Sequence, residues 1–155
     1  MAQTTAQVSK GCGKVEVAFD GLGVTFTDIS GVANTVADTE QSKISGEAYT
    51  IEGDGALIGV SKREPLELSV QLIYTETDAE GYELCRDHWE TAGCNNPIWL
   101  RWSPRGGNAG DEQLTTGKGF MTAFTYPELD ASSGDPIMCG FKIKVGTITT
   151  TIVAS

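Results

Sequence analysis

Leu66-Glu67-Leu68-Ser69-Val70-Gln71-Leu72-Ile73-Tyr74 alternates apolar and polar side chains along its length. Successive residues of an extended chain point to opposite faces, so Leu66, Leu68, Val70, Leu72 and Tyr74 share one face and Glu67, Ser69, Gln71 and Ile73 the other. A helix would wind both sets around its axis and leave neither face clean. Pro65 stands just before the run, where a strand tolerates proline. One face buried and one in water is the mark of an antiparallel sheet. This stretch makes the protein mainly β.

The same period recurs on both sides of it. Downstream, Ile137, Cys139, Phe141, Ile143 and Val145 face in, and Lys142 and Lys144 face out. Gly119 to Tyr126 alternates with Phe120, Phe124 and Tyr126 on one side, and Ile98-Trp99-Leu100-Arg101-Trp102 is a strand entered through Pro97. Upstream, Lys14 to Phe19 sets Val15, Val17 and Phe19 together, and Asp20-Gly21 with Gly23 turns the chain into Val24 to Ile29, a hairpin. One helix is expected, over residues 77–92. Thr77 and Glu80 have the spacing of a capping box, Tyr82, Cys85, Trp89 and Ala92 form an apolar stripe, and Gly93 ends it. The Thr-rich end of the chain reads as a tail. Six to eight strands with one helix predict an antiparallel β-sandwich or barrel with one flanking α-helix.

Residues 31–56 break the pattern. They hold Gly31, Asn34, Asp38, Glu40, Gly46, Glu47, Glu52, Gly53, Asp54 and Gly55 and few large apolar groups. They predict a long extended loop, with room for a short strand around Ala48-Tyr49-Thr50-Ile51. Loops of this length are commonly functional. The 155 residues fit a single β domain over residues 14–150, with an N-terminal arm at 1–13 and a C-terminal tail at 151–155.

Composition narrows the function. There are 21 acidic and 11 basic residues, a net charge of −10, which opposes tight binding of nucleic acid. No apolar run approaches the ~18 residues that span a membrane, and the polar first residues lack the apolar core of a secretory signal. The cysteines, at 12, 85, 94 and 139, form no CxxC pair and read as reduced thiols, mostly buried; Cys85, His88 and Cys94 lack a fourth zinc ligand nearby. His88 is the sole histidine and has no partner at catalytic spacing, and no serine sits in a Gly-x-Ser-x-Gly setting. Thr116-Gly117-Lys118-Gly119 lacks the spacing of a phosphate loop, and the acidic pairs Glu52 with Asp54 and Asp111 with Glu112 lack an EF-hand pattern. Trp99, Arg101, Trp102 and Arg105 read as packing or subunit contact in preference to stacking on nucleic acid. The expectation is a protein that is no enzyme, with no cofactor and no metal.

Long alternating strands leave edges that need covering. Trp99 and Ile73 fall on the face away from the main core, and the long loop lacks apolar groups to hold itself down. Together these features point to self-assembly, and a head-to-tail interface closes into a ring where its rotation allows. The alternative is a stand-alone β-sandwich binding module, a capsid decoration or receptor-binding domain, with residues 103–112 as its site.

Gly46-Glu47-Ala48-Tyr49-Thr50-Ile51-Glu52-Gly53-Asp54, Lys62-Arg63-Glu64-Pro65-Leu66-Glu67-Leu68 and Tyr74-Thr75-Glu76 resemble a short tail tube protein of tailed bacteriophages, the major tail protein of a long-tailed, siphovirus-like phage. Trp99-Leu100-Arg101-Trp102-Ser103-Pro104-Arg105-Gly106-Gly107, Thr116-Gly117-Lys118-Gly119 and Phe124-Thr125-Tyr126-Pro127 extend the resemblance, which covers roughly residues 14–150. It implies hexameric rings stacked into a hollow tube, about four strands per subunit in one continuous barrel, and the helix outside. Residues 31–56 would reach the adjacent ring. The channel would pass double-stranded DNA and hold a tape measure protein earlier. Tail terminator and distal tail proteins would be further partners. The implied location is the virion tail, after synthesis in the host cytoplasm and without membrane binding by this chain.

Candidate residues follow from alternation together with this resemblance. Glu16, Glu67 and Gln71 would line the channel. An acidic wall would repel the duplex and let it slide. Asp38, Glu40, Glu47, Tyr49, Glu52 and Asp54 would serve the inter-ring loop, and Trp99, Arg101 and Arg105 contacts between subunits.

Overall fold

A computed structural model describes every residue except Met1, Gly21, Ala92 and Asn95. In chain order the elements are β1 (Lys14–Ala18), β2 (Thr27–Asp28), β3 (Ala33–Ala37), β4 (Lys43–Ala48), β5 (Leu57–Arg63), β6 (Leu66–Ile73), α1 (Gly81–Glu90), β7 (Pro97–Ser103), β8 (Glu112–Thr116), β9 (Gly119–Thr125), β10 (Met138–Val145) and β11 (Ile148–Ile152). All strand pairs are antiparallel. Nine strands form one hydrogen-bonded network, ordered β11-β8-β7-β9-β10-β6-β3, with β1 on β7 and β2 on β1; β4 and β5 form a separate pair. The network changes partners at β7. Pro97 and Ile98 pair with β9, whereas later residues pair with β1 and with β8.

The core lies where these parts face each other. Leu66, Leu68, Val70 and Leu72 of β6 are buried while Glu67 and Gln71 are exposed, as the alternation predicts. Cys139, Phe141, Ile143 and Val145 of β10 join them, with Val17 of β1, Ile98 and Leu100 of β7, and Tyr82 and Cys85 of α1. Burial of one such aliphatic side chain contributes roughly 1.5–3 kcal/mol. At Gly140 the strands approach so closely that a Cβ would collide with the Val70 carbonyl, so β10 needs glycine there.

The structure corrects several expectations. The helix starts at Gly81, after Glu80, and no capping box forms: the Glu80 N–H donates to the Thr77 carbonyl at 3.0 Å, making a turn. Tertiary packing sets this start, because Gly81 sits against Ile29 and Val32 with no room for a Cβ. The helix ends at Glu90, capped by Thr91, whose N–H donates to the Asp87 carbonyl; Ala92, expected on its apolar stripe, lies outside the described residues. In β9 a shift in register between Lys142 and Ile143 of the partner strand sets Met121 opposite Ile143 and Phe124 opposite Phe141. The extra residue flips the alternation, so Met121 and Phe124 pack on the core and Phe120 is exposed.

Residues 31–56 are not an open loop. β3 pairs with β6, and β4 pairs with β5 in a hairpin that continues to Arg63. At the other end, the Thr-rich run forms β11 on β8, carrying strand pairing past residue 150, and the Val153 N–H donates to the Asp111 carbonyl at 2.8 Å.

Candidate functional site: sheet edges, a polar face and a projecting hairpin

β9, β10, β6 and β3 make a four-stranded sheet with two open edges. Among the described residues, β3 is paired on one side only, with β6. β9, again among the described residues, is covered on its outer side only at Gly119 and Phe120, which meet Ile98 and Pro97, and no strand pairs there with Met121 to Thr125. Unpaired N–H and C=O groups along an edge invite another strand.

The outward face of this sheet is polar and ordered in rows. Phe120, Lys144 and Glu67 stand opposite one another in the first row. The second contains Ala123, Lys142, Ser69 and Ala37, and there the Ser69 hydroxyl donates to the Asp38 carboxylate at 2.7 Å. The third contains Thr125, Gly140, Gln71 and Thr35. The Thr122 hydroxyl, from the bulge, donates to Glu67 at 2.9 Å.

The β4–β5 hairpin stands away from this body. Every residue of both strands is exposed. It carries Ile44, Leu57, Ile58 and Val60, with Tyr49 and Ile51 in its connecting turn; Ile58 is 77% exposed. An isolated two-stranded hairpin is marginal in water. This one is anchored at its neck, where the Glu64 N–H donates to the Ser42 carbonyl and the Gln41 amide donates to the carbonyls of Glu64 and Gly146.

The candidate residues separate into distinct places. Glu67 and Gln71 share the polar face. Glu16 does not: it lies in β1, only 8% exposed, opposite Arg101, and is ion-paired to Lys14 and Arg101. Asp38 follows the last residue of β3 beside the polar face, and Asp38 and Glu40 line a cleft of about 460 Å³ with Glu64 and Glu67. Glu47 is in β4, and Tyr49, Glu52 and Asp54 are in the exposed turn after it. Trp99 packs its ring against Gly23, whose φ of +68° and lack of a Cβ permit that approach. Arg101 is engaged within the chain, by Glu16 and by the Phe26 ring 3.9 Å from its guanidinium carbon. Arg105 is exposed in the loop after β7.

Two further features were not read from sequence. The carboxylate of Asp20 accepts the backbone N–H groups of Leu22, Gly23, Val24 and Thr25, and these bonds hold its pKa at about 2. The loop so fixed presents exposed Leu22 and Val24. Alternation alone turns Lys142 and Lys144 outward, but only the strand register shows that Lys144 stands opposite Glu67. Among the described residues, no three His, Cys, Asp or Glu side chains are grouped to hold a metal ion. Cys85 and Cys139 are buried, which raises both thiol pKa values, that of Cys139 to about 11.

No model of a known protein family and no curated protein matches the chain. Solved structures do. A chain of the PVC extracellular contractile injection system, in its sheath/tube terminator structure in the extended state, aligns over 96% of this chain and 99% of its own, with TM-score 0.74 and 14% identity. A chain from the tail of an empty GTA particle, refined helically with C6 symmetry, aligns over 97% of this chain and 99% of its own, with TM-score 0.60 and 12% identity. The SPP1 tail tube structure aligns over 96% of this chain and 81% of its own, with TM-score 0.61 and 10% identity. The chain therefore has the tail-tube fold: mainly antiparallel β, with open sheets and one helix.

Proposed function

We propose that this chain is the subunit of a hollow tail tube in a phage or phage-like particle, stacking as hexameric rings around a channel that passes double-stranded DNA. The observation that carries the reading is the four-stranded sheet with both edges open. Head-to-tail pairing of β3 on β9 of the next copy satisfies both edges at once and propagates around a ring. The C6 symmetry of a structurally similar tail supports six copies. Six such sheets give a barrel of roughly 24 strands, on the order of 40 Å across at a strand spacing of ~4.8 Å, wider than a DNA duplex. The outward polar face, with Glu67 and Gln71, lines that channel, and α1 lies outside it.

The hairpin, with Glu47, Tyr49, Glu52 and Asp54, reaches the adjacent ring and there covers its apolar side chains. A permanent interface of this kind buries well over ~2,000 Å². Other partners are a tape measure protein within the channel and terminator and distal tail proteins at its ends. The fold of the channel subunit is shared between contractile injection systems and the SPP1 tail tube, and the siphovirus-like assignment rests on the sequence resemblance. Glu16 is left out of the lining, because two cations already neutralise it away from that face. Arg105 remains a candidate subunit contact.

Electron microscopy of the purified, concentrated protein tests the reading. Hollow tubes of uniform width are expected. Dispersed monomers or small closed oligomers would favour a stand-alone binding module.

A further inference from the structure

Two lysines per subunit project from the face assigned to the channel, Lys142 and Lys144, and both are exposed. A ring of copies would repeat each of them around the wall. Unbalanced, such rings would hold a polyanion: duplex DNA carries a charge about every 1.7 Å, and each phosphate neutralised by a lysine releases counterions. The strand register supplies the counter-charges. Lys144 stands directly opposite Glu67 in the first row. Lys142 stands opposite Ser69 in the second, and the Ser69 hydroxyl is bonded to Asp38. The third row carries only uncharged residues, Gln71, Gly140, Thr125 and Thr35. Each base therefore has one acid at hand, Glu67 across from Lys144 in the first row and, for Lys142 in the second, Asp38 bonded to the Ser69 opposite it, although the chain as a whole carries −10.

We propose that this face is a self-neutralising lining fitted to a DNA duplex that must pass without being held, in which Glu67 and Asp38 cancel Lys144 and Lys142 row by row. The proposal rests on the tube reading and replaces an acidic wall with a balanced one. An acid at hand for each base leaves a passing phosphate no net cation to bind and releases few counterions. Two further acids, Glu40 and Glu64, share the cleft of Asp38 and Glu67 beside the hairpin neck, outside the rows; the rest of the excess negative charge lies on the helix, the hairpin turn and other loops.

The test uses assembled tubes, a short fluorescent DNA duplex and co-sedimentation from about 50 mM to about 200 mM salt. Wild-type tubes should retain no duplex. The double variant Asp38→Asn, Glu67→Gln keeps hydrogen-bonding groups at both positions, and asparagine tolerates the left-handed φ of +60° at residue 38. Its tubes should bind duplex at low salt and lose at least about tenfold in affinity across the range. Adding Lys142→Gln and Lys144→Gln should abolish the binding again. If the double variant does not assemble, Glu67→Gln alone makes the same comparison. Wild-type tubes that retain the duplex, or acid-depleted tubes that ignore it, would overturn the lining while leaving the tube intact. A wild-type chain that never forms tubes would remove the tube reading and the lining with it.

Discussion

The backbone N–H of Glu64 donates to the carbonyl of Ser42 at 2.8 Å, so the chain leaves for the β4–β5 hairpin and returns from it at one point. The hairpin can therefore be excised without stretching the body. Joining Ser42 to Glu64 through two glycines in place of residues 43–63 should give a folded, soluble monomer that makes no tubes. Its circular dichroism should remain β-rich and cooperative, while light scattering and microscopy report the loss of assembly. Tubes of normal length from this variant would remove the hairpin from the contact between rings.

Neighbouring positions on β6 should behave in opposite ways. Leu68 is fully buried and Glu67 is exposed. Leu68→Ala should cost about 2–5 kcal/mol through lost burial and a residual cavity, lowering Tm by roughly 5–15 °C. Glu67→Ala should stay within about 0.5 kcal/mol of wild type. Thermal denaturation of the two variants side by side checks the face assignment.

The Asp20 loop should be acid-sensitive. Its carboxylate pKa is lowered to about 2 by four backbone N–H donors. A carboxylate held below its unfolded value of ~3.9 stabilises the fold above that value and loses the effect as pH falls toward the folded one. Amide protection at Leu22 to Thr25 should hold at pH 4 and fall away toward pH 2. Asp20→Ala should show that loss already at neutral pH. Protection in the variant equal to wild type would mean that another group fixes the loop.

Thiol accessibility gives an independent check on the core. Cys12 and Cys94 are exposed, and Cys85 and Cys139 are buried. A thiolate reagent at neutral pH should modify the first two and leave the second two until denaturant is added, because burial both shields them and raises their pKa values. Mass spectrometry of the labelled protein reads this directly.

Much of the fold is legible in the sequence where one strand face is wet and the other dry. The alternations of β6 and β10 place Leu66, Leu68, Val70, Leu72, Phe141 and Ile143 correctly. The hairpin is not legible, because both of its faces are exposed: Gly46 opposes Gly59 and Glu47 opposes Ile58, and no period survives. β9 misleads because one bulged residue exchanges its faces. Glu16 reads as a wall residue from β1 alone, since the strand that buries it, with Arg101 directly opposite, lies far along the chain. The polar face was half legible: Glu67 and the two lysines each read as outward, but only the register joins them in rows.

Helical reconstruction of the particles formed by the purified chain tests most directly whether identical copies complete its sheet. β3 of one copy should be hydrogen-bonded to β9 of the next, closing one continuous barrel whose inner surface carries Glu67 and Lys144. Particles in which both edges stay unpaired, or a chain that remains monomeric at high concentration, would contradict it.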